Sequence, residues 1–200
     1  MLYYMLNKPG GCITARKDIS HKTVMDYFPE NMREILHPVG RLDMDTTGLL
    51  IFTDDGKLDM EIMQPENHVP KKYFFRAIGT MDEVRAKKVE SGVLLTGQTE
   101  LTKPAVLEVQ NTDKIINIID HIPERFRQKM SKNPDIPVFS GYLTITEGRK
   151  HQVKRMLRAV GCCVVSLKRV AVGSLFLDES LKPGEYRELT ANELTLLKQK

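Results

Sequence analysis

Cysteine is scarce in this chain: Cys12, Cys162 and Cys163 are the only three. They give no disulfide framework, and no pair stands at zinc-ligand spacing. The adjacent Cys162 and Cys163 read as small buried residues following a helix rather than as metal ligands. Long apolar runs are missing too. None approaches the roughly 18 to 20 residues needed to cross a bilayer, so no membrane partner is expected. The N-terminal stretch Met1-Leu2-Tyr3-Tyr4-Met5-Leu6 lacks a basic leader and is cut short by Asn7-Lys8-Pro9-Gly10-Gly11. That is not the pattern of a signal peptide, and a cytoplasmic location is expected. There is no glycine-rich phosphate loop and no internal repeat. Charge excess is small: +4 overall, with a pI near 8.9. Such a balance permits an RNA partner without demanding one, because charge bears on partners only where it is localised.

What is present is ordinary for a globular protein: 200 residues, 41% hydrophobic and 28% charged, enough for one sizeable domain or two small subdomains sharing a core. Tyr3 to Leu6 reads as a strand ending in a Pro-Gly-Gly turn, and His21 to Tyr27 as one or two helical turns. Gly40 to Thr47 is polar and turn-like. It feeds the apolar run Leu49 to Thr53, short enough for a buried strand and closed by the turn signal Asp54-Asp55-Gly56. Lys57 to Gln64 reads as a short helix stopped by Pro65, and Lys72 to Ile78 as a strand. Thr80-Met81-Asp82-Glu83 has the form of a capping box opening a helix to Ser91, ended by Gly92. Ala105 to Val109 is another strand, and Ile115 to Ile119 has strand character. The prolines at 123, 134 and 137 sit among charges, so residues 120–140 are expected to be a mobile insertion.

Tyr142 to Thr146 alternates as a strand does. His151 to Val160 is the clearest helix: Val153, Met156, Leu157 and Val160 form one apolar stripe, and Gly161 is placed to end it. Val164 to Leu167 reads as a strand, and Thr190-Ala191-Asn192-Glu193 opens a last helix with a second capping box. The expected class is therefore α+β, with a mixed, largely antiparallel sheet flanked by helices.

The basic charge is localised. Between Glu147 and Arg169 stand Arg149, Lys150, Lys154, Arg155, Arg158, Lys168 and Arg169 against the single acid Glu147. At 100° per residue, Lys154 and Arg158 lie one turn apart on the predicted helix with His151 and Arg155 alongside, all opposite the apolar stripe. A row of cations pinned by a core can grip phosphates or stabilise a carboxylate; a solvated face is the plain alternative. Asp43 and Asp45 flank Met44 beside Arg41, just before a buried strand. A carboxylate there, kept ionised by a neighbouring cation, is a candidate nucleophile, while a turn or cap role is the commoner fate of loop aspartates. Asp54 and Asp55, followed by glycine, fit that commoner fate.

Asp43-Met44-Asp45-Thr46 also fits the Asp-x-Asp-x-Thr signature of haloacid-dehalogenase-type phosphatases. That family needs an apolar strand leading into the first aspartate. Here the lead-in His37-Pro38-Val39-Gly40-Arg41 contains Pro and Gly, and the apolar strand comes afterwards.

A fuller match exists. Gly40-Arg41-Leu42-Asp43-Met44-Asp45-Thr46-Thr47-Gly48-Leu49-Leu50, followed by Thr53-Asp54-Asp55-Gly56, closely resembles the signature of the RsuA-type pseudouridine synthases. Leu6-Asn7-Lys8-Pro9-Gly10, Lys72-Tyr73, Leu101-Thr102-Lys103-Pro104-Ala105, Glu147 to Met156 and Pro183-Gly184-Glu185-Tyr186-Arg187 extend the resemblance over nearly the whole chain. It implies a fold of two subdomains with the active site in a cleft between them, and one catalytic domain over residues 1–200. It implies an isomerase that converts a uridine of ribosomal RNA to pseudouridine by base flipping, without cofactor or metal. Asp43 matches the essential aspartate, Tyr73 the tyrosine packed on the target base, and Lys154 the basic residue that pairs with the aspartate. Leu167 falls where the family places an apolar residue against the active site, and Arg41 belongs to the motif. Many relatives carry a small RNA-binding domain ahead of Leu6-Asn7-Lys8-Pro9, and here the sequence begins at that motif. RNA grip is then expected from the core, through Arg149, Lys150, His151, Gln152, Arg155 and Arg158, in a monomer. The length of residues 120–140 resembles core-only large-subunit members and the motif at Leu101 to Ala105 the small-subunit ones, so the target stays open with a slight lean toward small-subunit rRNA. A non-catalytic RNA-binding module of the same fold is the third reading, and the joint presence of Asp43, Tyr73 and Lys154 argues against it.

Overall fold

The computed structural model describes Met1 to Lys198, the side chains of Arg125 and Lys129 excepted. The strands are β1 (Tyr3–Lys8), β2 (His37–Val39), β3 (Thr47–Thr53), β4 (Lys71–Ile78), β5 (Val106–Lys114), β6 (Pro137–Ile145), β7 (Cys163–Val172), β8 (Leu175–Phe176) and β9 (Tyr186–Glu188). The α-helices are α1 (Glu30–Arg33), α2 (Gly56–Met63), α3 (Glu83–Ser91), α4 (Ile115–Ile118), α5 (Glu124–Met130), α6 (Gln152–Ala159) and α7 (Ala191–Lys198). The class is the α+β expected, with largely antiparallel pairing and flanking helices. The chain divides into two compact units, Met1–Lys71 with Lys168–Lys200, and Lys72–Leu167. Among the described residues, no helix is long and apolar enough to cross a membrane.

In the first unit β1 lies between β3 and β9 and is antiparallel to both, Met5 standing opposite Ile51 on one side and Arg187 on the other. β2 adds antiparallel to β3. Its Pro38 sits in a three-residue strand, in keeping with the confinement of proline to short or peripheral strands. β3 meets β7 in parallel at Thr47–Lys168 and Gly48–Arg169. The run Leu49-Leu50-Ile51-Phe52 is buried on both faces, which is why it reads as continuous rather than alternating. One face packs Leu49 and Ile51 with Met5, Leu58, Ile62 and Leu197. The other sets Phe52 against the ring of Phe28 at 4.6 Å. Asp55 caps α2, its carboxylate accepting from Lys57 N and Leu58 N, and Thr190 and Glu193 cap α7 reciprocally as a capping box requires.

In the second unit the strand order is β5-β6-β4, then the first half of β7. β4 alternates between buried and half-buried residues along its length, so Tyr73, Phe75 and Ala77 face the core while Lys72, Phe74 and Arg76 face the other way. Phe75 packs edge-on to Phe139 of β6 at 5.5 Å. The stripe of α6 is as expected: Val153, Met156, Leu157 and Val160 are all buried.

Two local expectations change. The cap of α3 is Asp82, which accepts from Arg85 N at 2.8 Å, while the carbonyl and hydroxyl of Thr80 accept from the Arg85 guanidinium. Asp82 therefore caps the helix at the position next to it, where an acid also suits the helix dipole. The strand expected over Ile115–Ile119 is instead a turn of α-helix followed by a 3-10 turn at Ile119–His121. Ile115 is fully buried and Ile116 is 47% exposed. Ile115 and Ile118 pack together with Ile122, Met130 and Val138. An apolar run this short does not separate helix from strand by periodicity. Residues 120–140 contain α5 and the start of β6, and contribute Ile122, Met130 and Val138 to that cluster.

Candidate active site

The first unit builds the Asp43 loop from backbone contacts. Thr14 Oγ1 both donates to Leu42 O (2.8 Å) and accepts from Leu42 N (3.1 Å). Gly11 N donates to Met44 O at 2.8 Å, and Thr46 N donates to Asp43 O at 3.1 Å. The centre of this web is Lys8, which is completely buried. Its ammonium donates to the carbonyls of Thr46 (2.9 Å), Asp43 (3.0 Å) and Pro9 (3.1 Å), with Met44 O at 3.4 Å. Burial pushes the Lys8 ammonium below the usual lysine range, opposed by the pull of Cys12, Asp45 and Asp43. A loop tied at residues 42, 43, 44 and 46 presents its carboxylate with little freedom to lose, which is what a preorganised catalytic group requires. Gly48 then lets β3 approach β7: its φ is +99°, and a Cβ there would meet Arg169 O at 2.2 Å.

The second unit carries the other expected residues. Tyr73 and Leu167 are 9% and 6% exposed on β4 and β7. The turn before α6 is organised around Glu147, whose carboxylate accepts from Lys103 N (2.9 Å), Gln152 Nε2 (2.7 Å) and Arg149 Nε (3.0 Å). Arg149 also donates to the carbonyls of Glu100 and Leu101, and Arg155 to those of Lys150 and Thr96. Gln152 is buried, and its amide oxygen accepts from Arg149 N. His151 takes φ +52° just ahead of α6, a left-handed conformation that is uncommon outside glycine.

The basic stretch therefore divides by use. Arg149, Arg155 and the buried Arg169, which donates to Leu49 O, hold the fold together. Lys150 and Arg158 are exposed and, like exposed Arg41 in the first unit, make no side-chain hydrogen bond or ion pair among the described residues. Sequence pattern alone missed Lys8 and Thr14. The only signal was the Leu6-Asn7-Lys8-Pro9 motif itself, since a buried lysine leaves no mark on hydropathy. No cluster of His, Cys, Asp and Glu suited to a metal ion occurs among the described residues.

Comparison with known proteins settles the family. A model of RNA pseudouridylate synthase matches residues 2–159. The chain belongs to that family. It is 41% identical over 197 residues to an uncharacterized RNA pseudouridine synthase of Bacillus subtilis, covering 98% of this chain and 73% of that protein. It is also 41% identical over 192 residues to ribosomal small subunit pseudouridine synthase A of Escherichia coli K12, covering 96% and 72%. A crystal structure of a pseudouridylate synthase superimposes with a TM-score of 0.80 at 39% identity, covering 98% of this chain and 73% of that one. The enzyme is thus an RNA pseudouridine synthase, and the phosphatase reading of Asp43-Met44-Asp45-Thr46 falls. Its strand order is also wrong for a phosphatase, because the strand leading into the aspartate is the three-residue β2 and the long buried β3 follows it.

Proposed function

We propose that this enzyme isomerises a uridine of small-subunit ribosomal RNA to pseudouridine, with Asp43 as the catalytic carboxylate. The observation that carries the assignment is the strapping of residues 42–46 by Thr14, Gly11 and Lys8. Of the loop aspartates, Asp43 is the one whose own carbonyl is held by a buried lysine, in the Gly-Arg-Leu-Asp motif of the family. The relatives named as small-subunit enzymes support the choice of RNA.

The target uridine leaves its stack at a cost of a few kcal/mol, least in single-stranded or loop RNA. The N1–C1′ bond breaks with assistance from Asp43, and the uracil turns and rejoins C1′ through C5. The C5 proton goes to solvent and N1 gains one, so the product is an isomer and no co-reactant is consumed. In this reading Tyr73 packs on the base, Lys154 balances the Asp43 charge and Leu167 closes the apolar wall, as the family resemblance implies. Arg41, Lys150 and Arg158 are the phosphate contacts, because their charges are not already used within the protein. Asp43→Asn is expected to bind ribosomal RNA normally and to release no tritium from 5-tritiated uridine. Wild-type release from that variant would remove Asp43 from the mechanism.

A further inference from the structure

The second unit holds a cavity of about 350 Å³ on the face of β4 opposite to Tyr73. It is lined by Phe74 and Arg76 of β4, Asn111 of β5, Ser140 of β6, and Asn117 and His121 from the turns that follow β5. Arg76 is unusual among the arginines of this unit. It is half-buried, with burial lowering its pKa, yet its guanidinium meets only the Phe74 ring, at 4.9 Å, and no carboxylate or carbonyl among the described residues. Arg127, Arg149 and Arg155, by contrast, each hold backbone carbonyls. The side chains of Asn111, Ser140 and His121 likewise have no hydrogen-bond partner within the described chain. Beside them Phe74 packs on Tyr142 at 5.3 Å, and Lys72 lies 4.6 Å from the Tyr142 ring centre.

A partly desolvated cation without a counter-charge favours an anion, and a guanidinium fork matches phosphate oxygens. An aromatic ring next to it offers a stacking surface for any nucleobase. Side-chain amides can donate to and accept from base edges at once. The one acid in the cavity, Asp113, is occupied: Asn117 Nδ2 and Lys114 N donate to it, and these bonds hold its carboxyl below the usual range. Its charge disfavours a phosphate at that end, which sets the phosphate against Arg76 and the base toward Asn117.

We infer that this cavity is a second RNA-contact site, which takes a phosphate on Arg76 and its nucleoside between Phe74 and the Asn111 and Asn117 amides. The ligand is a single strand of the substrate RNA, so the inference rests on the proposed function. It gives the enzyme a grip on nucleotides away from the target uridine, on the sheet face turned away from Tyr73.

The test uses the full chain with Arg76→Gln and, at an exposed position where folding is not at stake, Asn111→Asp. Labelled oligouridylate is titrated at several salt concentrations, and turnover is followed by tritium release from a small-subunit rRNA transcript. Arg76→Gln is expected to bind the oligonucleotide roughly tenfold more weakly, the loss of one hydrogen bond to a charged group, and Asn111→Asp to weaken binding by removing an amide donor to the base. Arg76→Gln should also lower the log–log salt slope by about 1. At saturating rRNA, kcat should stay within about twofold of wild type, because no reacting group is touched. Wild-type affinity and slope in both variants, with wild-type enzyme turning over rRNA, would overturn the site and leave the proposed function standing. Absence of tritium release by the wild-type enzyme would instead defeat the proposed function. UMP displacing the oligonucleotide through this cavity, seen as shifts of the Asn111 and Asn117 amides, would reassign it to a free nucleotide.

Discussion

Each unit organises a turn around one buried charge, and the two charges have opposite signs. In the first, the Lys8 ammonium gathers carbonyls of residues 9, 43, 44 and 46. In the second, the Glu147 carboxylate gathers donors from residues 103, 149 and 152. The solutions differ in what balances the charge. Glu147 has a formal counter-ion in Arg149 at 3.0 Å. Lys8 is held by neutral dipoles at contact distance, with Asp43 and Asp45 acting on it only through their fields. A charge satisfied by backbone dipoles fixes backbone geometry, whereas one satisfied by a side-chain ion fixes a side chain. The loop that presents Asp43 has the first kind of support, suited to a group whose position matters more than its mobility.

Substitutions can break this contrast. Lys8→Met should have the largest effect. It removes the ammonium that four loop carbonyls share, that of Thr46 in a buried bond, and a loss of about 3 kcal/mol is expected by urea denaturation. A loss below about 1 kcal/mol would mean that the carbonyls do not depend on Lys8. Glu147→Gln should cost about 2 kcal/mol, since the amide keeps one acceptor oxygen but turns an NH2 toward existing donors. The same denaturation curve checks it, and Arg149→Met should cost less than Glu147→Gln if the backbone donor from Lys103 matters as described.

Thr14→Val comes next, at about 1 kcal/mol. Because both bonds of Thr14 end on Leu42, next to Asp43, its turnover should fall more than its stability, with KM little changed. Equal loss in both would make Thr14 a stability residue alone.

The smallest effect is at the surface. Arg187 is held by Glu193 (2.6 Å) and Asp178 (2.7 Å), and hydrogen bonding to Arg187 brings the Glu193 carboxyl down to about 2 from its ordinary 4.5. A carboxyl depressed on folding stabilises the protein fully above its unfolded value and loses that contribution as pH falls through its folded value. Stability should therefore decline between about pH 4.5 and pH 2, and Glu193→Gln should flatten that decline; an unchanged acid profile in the variant would show that the pair contributes nothing.

The same contrast explains what the sequence made legible. Periodicity located α6, β3 and the α7 capping box, because each is a local pattern whose burial follows from spacing. Motif matching located the Asp43 loop and the family. What stayed hidden was the use of charge. Lys8, Arg149 and Arg169 look like any other basic residues in a string, and only three-dimensional partners separate them from Lys150 and Arg158. The run from Ile115 to Ile119 misled for a related reason, since five residues, four of them isoleucine, carry no period and the core around Ile122 decided their shape.

The place of β1 between β3 and β9 has a consequence in time. Its two neighbours are β3, residues 47–53, and β9, residues 186–188. A ribosome adding about 5 to 20 residues per second makes the first neighbour within seconds of β1 and the second only on the order of ten seconds later. The unit containing Asp43 is closed by a segment synthesised after the whole of the contiguous unit from Lys72 to Leu167. The nascent enzyme therefore has to keep one edge of β1 open until the second unit has been made.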